Sequence, residues 1–301
     1  MAHTLYVIGN GFDLFHGLKT KYSDFKKWMY YHHPIVLDEL IHTYNPNGEW
    51  WNDFEMNLGN LDIVKYRNKH HSKLPDWIEK EIIKQETDSI PNLNDGPAPS
   101  GIRLRELYKL LDICFKEWVK DINHSYMHQL LDFPTKNAKY LSFNYTTILE
   151  DTYRIHSDNI LHIHGCIKNN DRLIFGHNTS PMKWEVEYET REEYFPKDTD
   201  MMKVEDSFGS KEKYPSEFIS RNYNFFDFLP DVIDVFYLGF SFSPVDDEYA
   251  FFIRSRAPKA MWHISWYREE DKTQIKNFLD DNPLEFRHLE YEFIRINDLA
   301  K

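Results

Sequence analysis

The sequence predicts an α/β protein with a mostly parallel sheet, helices on both faces and a helical insertion. Three observations carry that prediction. Short apolar runs of strand length recur at Leu5–Ile8, Lys139–Phe143, Ile160–Ile163, Val232–Leu238, Ala260–Ile264 and Leu289–Ile296, with helical segments between most of them. Four of the runs lead into small or polar residues, Gly9-Asn10-Gly11, Asn144, His164-Gly165 and Gly239. In open parallel sheets the loops beyond the carboxyl ends of strands are where ligands gather. The long interval between the first two runs is dominated by helical periodicity, which reads as an insertion.

Leu5–Ile8 is a buried strand because apolar and β-branched side chains pack on a pleated surface. Gly9 and Gly11 let the backbone turn sharply and, lacking Cβ atoms, admit a ligand such as a pyrophosphate to the amides. They serve a simple tight turn equally well. Leu14 stands where a dinucleotide fingerprint has its third glycine, so a helix directly after the strand is not secured by that signature. Asp13 would repel a pyrophosphate and is expected to point to a ribose hydroxyl or to backbone amides.

Ser23–Tyr31 reads as an amphipathic helix with Phe25, Trp28 and Met29 inward, and Ile35–Tyr44 as a second that stops before Asn45-Pro46-Asn47-Gly48. Trp51 and Glu55, four apart on a helix, would face one cavity; a solvent-facing carboxylate beside a core aromatic is the plainer alternative. Asp76–Glu86 has helical potential, Ile90–Gly101 has loop composition, and a long helix is expected from Ile102 toward Leu131, striped by Leu104, Leu107, Leu111, Phe115, Trp118 and Ile122. Beyond it, Ile148–Tyr153 is a short helix, Leu173–Gly176 a short strand or hairpin arm, Lys183–Tyr214 an irregular charged excursion and Lys272–Leu279 a helix. The expected organisation is one domain over 1–301, with a helical insertion over 60–132 and a peripheral excursion over 183–217.

Composition narrows the function. The 301 residues are 41% hydrophobic with eight Trp, 19 Tyr and 22 Phe, enough for a substantial core. A net charge of −13 opposes attraction to a polyanion, so nucleic acid is not the expected partner and a nuclease is disfavoured. The only cysteines are Cys114 and Cys166, with no spacing of a zinc cage or disulfide framework, which fits a reduced, cytoplasmic setting. No run of about 20 apolar residues and no signal-peptide pattern is seen, so no membrane partner is expected.

Gly9-Asn10-Gly11-Phe12-Asp13, His16-Gly17-Leu18, Thr20-Lys21-Tyr22, Trp51 with Phe54-Glu55, Phe143-Asn144-Tyr145-Thr146, His162-Ile163-His164-Gly165, and Leu238-Gly239-Phe240-Ser241 with Asp246 form an ordered set. Together they resemble the AbiH family of phage abortive-infection proteins, across almost the whole chain. The family favours histidine after Gly239, where this sequence has Phe240. The chain is more distantly similar to sirtuin-like, Rossmann-like NAD domains, through Gly9 and Gly11, Asn144 and His164; the sirtuin zinc cysteines are absent, which argues against protein deacylation.

The resemblance implies antiphage defence, with NAD as substrate or ligand and an NAD glycohydrolase as the implied enzyme. Catalytic candidates are His164 as proton relay, Asn144 to orient water or a ribose hydroxyl, and Asp13 or Glu55 to steady the imidazole or the positive ribose. His164 serves equally as a structural cap, and Asn144 as the side chain of an Asx turn. Gly9, Asn10, Gly11, Phe12, Gly239, Ser241 and Asp246 are the nucleotide-binding candidates. The alternative is a nucleotide-responsive module controlling a separate effector. A phage-derived trigger or a second copy of the chain is the further expected partner. No metal is expected, because His162 and His164 are not expected to point into one site unless the strand ends between them.

Overall fold

The computed structural model describes residues 3–70, 99–122, 131, 137–169, 171–179 and 199–299. The expected helix at Asp76–Glu86, most of the loop before Gly101, the far end of the long helix and the start of the charged excursion lie outside the described residues. The chain forms two compact units, one of Met1–Phe25, Lys116–Ile174 and Tyr214–Lys301, the other of Lys26–Phe115 and Phe175–Lys213.

The first unit holds a six-stranded, all-parallel sheet of β1 (Thr4–Ile8), β2 (Ala138–Ser142), β3 (Ile160–His162), β4 (Asp234–Leu238), β5 (Met261–Trp266) and β6 (Tyr291–Arg295), in the order β3-β2-β1-β4-β5-β6. This α/β, Rossmann-like architecture is the predicted fold class. The order is that of dinucleotide-binding sheets, in which connections from the central strand run opposite ways and leave a crevice between β1 and β4.

Strand alternation sorts the side chains. Leu5, Val7, Leu141, Val235, Tyr237, Trp262 and Ile264 enter one core with Ala250, Ile253, Ile275 and Leu279 of the helices α10 (Asp247–Arg256) and α11 (Glu269–Asp281). On the other face Tyr6 stacks on both Tyr140 and Phe236 with ring centroids 5.1 Å apart, and Phe236 stacks on His263. Burial on both faces explains why the inner strands read as continuous apolar runs.

A short helix, α1 (Asn10–Phe15), does follow β1 directly. Leu14 does not block it because that side chain is only half-buried, while Phe12 and Asp13 turn inward. The helix stops where Gly17 takes a left-handed φ of 82°. Leu173–Gly176 is not a strand: Ile174 donates its amide to the His164 carbonyl, and its own carbonyl accepts from the Tyr145 hydroxyl.

In chain order the remaining helices are α2 (Tyr22–His32), α3 (Pro34–Tyr44), α4 (Phe54–Leu58), α5 (Ile63–His70), α6 (Pro99–Asp121), α7 (Ile148–Asp151), α8 (Thr199–Gly209) and α9 (Pro215–Arg221). The second unit contains α3, α4, α5 and α8 with most of α6. Its polar ties include the bidentate pair Arg103–Glu39 and Asp200, which accepts from Ser100 and the Gly101 amide. Trp51 and Glu55 do not share a helix. Trp51 lies in the preceding turn, stacked on Phe54 with centroids 5.4 Å apart. The predicted stripe of α6 is buried at Leu104, Leu107, Leu111 and Phe115 in this unit, and at Trp118 in the first, against Phe25. Among the described residues, no helix is long and apolar enough to cross a membrane.

Candidate functional site

Because the sheet is all parallel, the carboxyl ends of β1, β2, β3 and β4 share one edge, and with them Gly9, Asn144, His164 and Gly239. The glycines meet one another. A Cβ on Gly9 would stand 2.5 Å from the Gly239 carbonyl oxygen, and one on Gly11 would stand 2.7 Å from the Gly239 Cα. Backbone hydrogen bonds seal the contact: the Gly9 amide donates to Leu238 O at 3.0 Å, Gly11 to Gly239 O at 2.9 Å, and Phe12 to Gly9 O at 3.0 Å. These three amides are engaged by carbonyls within the protein. The glycines thus let the turn after β1 pack against the turn after β4, so a branched residue at Gly11 would collide with backbone whatever the ligand.

Asp13 is the centre of a buried polar cluster. It is 2% exposed, and its two oxygens accept from Asn144 Nδ2 and Thr146 Oγ1, both at 2.8 Å. Asn144 Nδ2 also donates to the Gly9 carbonyl at 3.0 Å, and the Asn144 amide donates to Ser142 Oγ. Asn144 is therefore a latch from the end of β2 to the turn after β1, instead of an Asx turn. Burial pushes the Asp13 carboxyl up to about 7, against the pull of the Thr146 and Asn144 donors and the charge of His162. Nearby, His16 is fully buried between the Phe12 carbonyl and the Tyr153 hydroxyl, and burial holds its ring below the usual imidazole range.

The two histidines of His162-Ile163-His164 are two apart and would share a face of a continuing strand, but β3 ends at His162 and the chain turns, so they serve different clusters. His164 is 2% exposed, edge-on to Phe143, Phe218 and Tyr249, with Nε2 3.5 Å from Asp246 Oδ1. Asp246 is the partly exposed member of that pair and stands at the N-cap of α10. Burial above all pushes the next carboxyl, Asp247, up to about 6, with Asp246 and Glu248 adding. His162 points the other way. Its Nδ1 lies 3.0 Å from the Asn144 carbonyl oxygen, its Nε2 3.0 Å from Glu150 Oε1, and the Cys166 thiol lies beside it. Burial opposes charge on this ring, but the Cys166 and Glu150 contacts outweigh it and hold the ring up to about 10. Glu150, His162 and Cys166 are the described residues with donor atoms grouped as a metal would need.

The remaining candidates separate. Asn10 is exposed at its backbone turn and donates to the Thr20 carbonyl, while Ser241 is exposed just beyond β4. Phe240 is core, packed on Phe143 with centroids 4.8 Å apart, so the position that the resemblance would give to histidine is apolar here. Glu55 belongs to the second unit, where it accepts from the Gly176 amide and pairs with the buried ammonium of Lys213 at 3.0 Å. Those are structural contacts. Sequence reasoning missed Thr146 as the second donor to Asp13, and it missed Glu150 and Cys166. The spacing His162-x-x-x-Cys166 at a strand end was the available signal for the last.

The chain matches the family described as Bacteriophage abortive infection AbiH over residues 5–266. No curated protein and no solved structure matches it. The match spans all but the ends of the chain, from β1 through β5, and takes in every strand-end residue described above; the protein belongs to the AbiH family of bacteriophage abortive-infection proteins.

Proposed function

We propose that this abortive-infection protein binds NAD over the crevice between β1 and β4 and hydrolyses the bond between nicotinamide and ribose. The observation that carries the reading is the dinucleotide-type strand order, with Asp13, Asn144, His164 and Asp246 gathered at the carboxyl edge of the sheet. In the reaction the C–N bond breaks with its electron pair going to the nicotinamide ring, which becomes neutral. Water forms the new C–O bond and gives up a proton. The partly exposed Asp246 carboxylate steadies the positive ribose, and His164, 3.5 Å behind it, takes the proton. Asn144 and Asp13 act by holding the loop ends in place, because their hydrogen bonds are made to each other and to Gly9.

The test is to incubate the purified chain with NAD and identify products by mass. Nicotinamide and ADP-ribose are expected, and His164→Gln should slow their release by about 10² to 10⁴ while leaving NAD affinity near that of the parent. Release at the parent rate by His164→Gln would remove the proton relay. Saturable NAD binding without product would favour the second reading, a nucleotide-responsive module that controls an effector. The engagement of Asn144 Nδ2 by Asp13 and the Gly9 carbonyl, which takes it from the attacking water, favours that reading. Neither binding nor product would end the NAD assignment.

A further inference from the structure

We propose that Glu150, His162 and Cys166 form a three-ligand site for a divalent transition cation, zinc in the first instance. One donor atom from each lies within 4.8 Å of the other two, and His162 Nε2 stands 3.0 Å from Glu150 Oε1. Ordinary zinc bond lengths in a tetrahedron place donor atoms about 3.3 to 3.6 Å apart, so closing on an ion requires shifts of roughly an ångström. A thiolate, an imidazole and a carboxylate make a mixed set that suits zinc better than magnesium or calcium.

The surrounding chain builds the site. Gly165, at a left-handed φ of 86°, turns the strand end back on itself, with its amide on the His162 carbonyl, and so returns Cys166 to the ring four residues earlier. His162 Nδ1 faces the Asn144 carbonyl, which fixes the ring with Nε2 toward Glu150; this is the usual outer contact of a metal-bound histidine. Glu150 is presented from α7, the helix that follows β2.

An independent observation points to a missing partner for the second oxygen of Glu150. Glu150 Oε2 is buried and has no hydrogen-bond partner among the described residues, although its other oxygen meets His162. A plain His–Glu pair leaves that oxygen unsatisfied. A dication answers it and takes the buried, unbridged thiol of Cys166, already beside the ring, as a third ligand. With three protein donors a fourth position stays open for water or a ligand. The ion would join the end of β3 to α7 and, through the Asn144 carbonyl, support the loop that latches Asp13. This holds whether or not the crevice beside it binds NAD.

The experiment is a cobalt titration of the metal-stripped full chain, followed by competition with zinc. One equivalent of cobalt is expected to bind with a thiolate-to-cobalt charge-transfer band, and zinc should displace it and raise the Tm. Cys166→Ser should abolish the band, Cys114→Ser should keep it, and Glu150→Gln should keep it with affinity lowered by about 10-fold or more. If Cys166→Ser does not fold, the parent, Cys114→Ser and Glu150→Gln still decide the matter. A parent chain that shows no band and no zinc-dependent rise in Tm would overturn the proposal, as would a band lost in Cys114→Ser and retained in Cys166→Ser.

Discussion

Gly239→Ala is expected to lower the unfolding free energy by about 3 to 5 kcal/mol, the sum of left-handed strain and overpacking against backbone. Gly239 has φ 65°, and a Cβ there would stand 2.2 Å from the Phe12 amide nitrogen and 2.4 Å from the Gly11 carbonyl carbon. Neither atom can rotate away, because both belong to the turn that closes β1 onto β4. Relief requires parting the two strand ends, which also breaks the Gly11 amide bond to Gly239 O. Gly48→Ala is the control: nothing lies within 4 Å of its Cβ position, so the change should stay within about 0.5 kcal/mol. Urea denaturation of parent and both variants measures the difference. A Gly239→Ala chain with the parent midpoint and slope would mean that the two turns do not pack as described.

Asp13 should give the second large effect, and its two substitutions should diverge. Asp13→Ala strands the buried donors of Asn144 and Thr146 and opens a small void, a loss of about 3 to 4 kcal/mol. Asp13→Asn keeps the shape. Its oxygen accepts from Asn144 and its amide donates to the Thr146 hydroxyl, which can reverse its role.

The pH dependence follows from burial. The folded-state pKa is raised to about 7 from an ordinary 3.8, so the folded chain holds this proton more tightly than the unfolded one. The contribution to stability is fully present below about pH 4 and is lost as pH rises through about 7. Between pH 5 and pH 8 the parent should therefore lose about 2 to 3 kcal/mol relative to Asp13→Asn, which has no such proton. Chemical denaturation of both chains at the two pH values tests this. A stability difference that does not vary with pH would show that Asp13 does not titrate in this range.

Local residue patterns determined a good deal by themselves. Apolar runs gave each strand of the sheet, four of them leading into glycine, asparagine or histidine, and the helices between them implied parallel connections. From parallel strands it follows that Gly9, Asn144, His164 and Gly239 lie on one edge, before any contact is known. The stripe of α6 was equally legible, since periodicity reports burial directly.

What each strand-end residue touches was not legible, because partners are chosen by sheet order and register. Asn144 and Asp13 are 131 positions apart and meet only because β1 and β2 are neighbours with Ile8 opposite Ser142. Gly9 and Gly11 carry the composition of a phosphate turn, yet the placement of β4 beside β1 puts Gly239 against them and engages their amides. Glu55 read as a carboxylate beside Trp51, whereas the fold of the second unit delivers Lys213 to it. Cys166 looked solitary until the Gly165 turn and α7 brought His162 and Glu150 to it. Burial is written in a few adjacent residues, but a hydrogen bond or an ion pair between distant ones exists only once the whole sheet has fixed where each end lies.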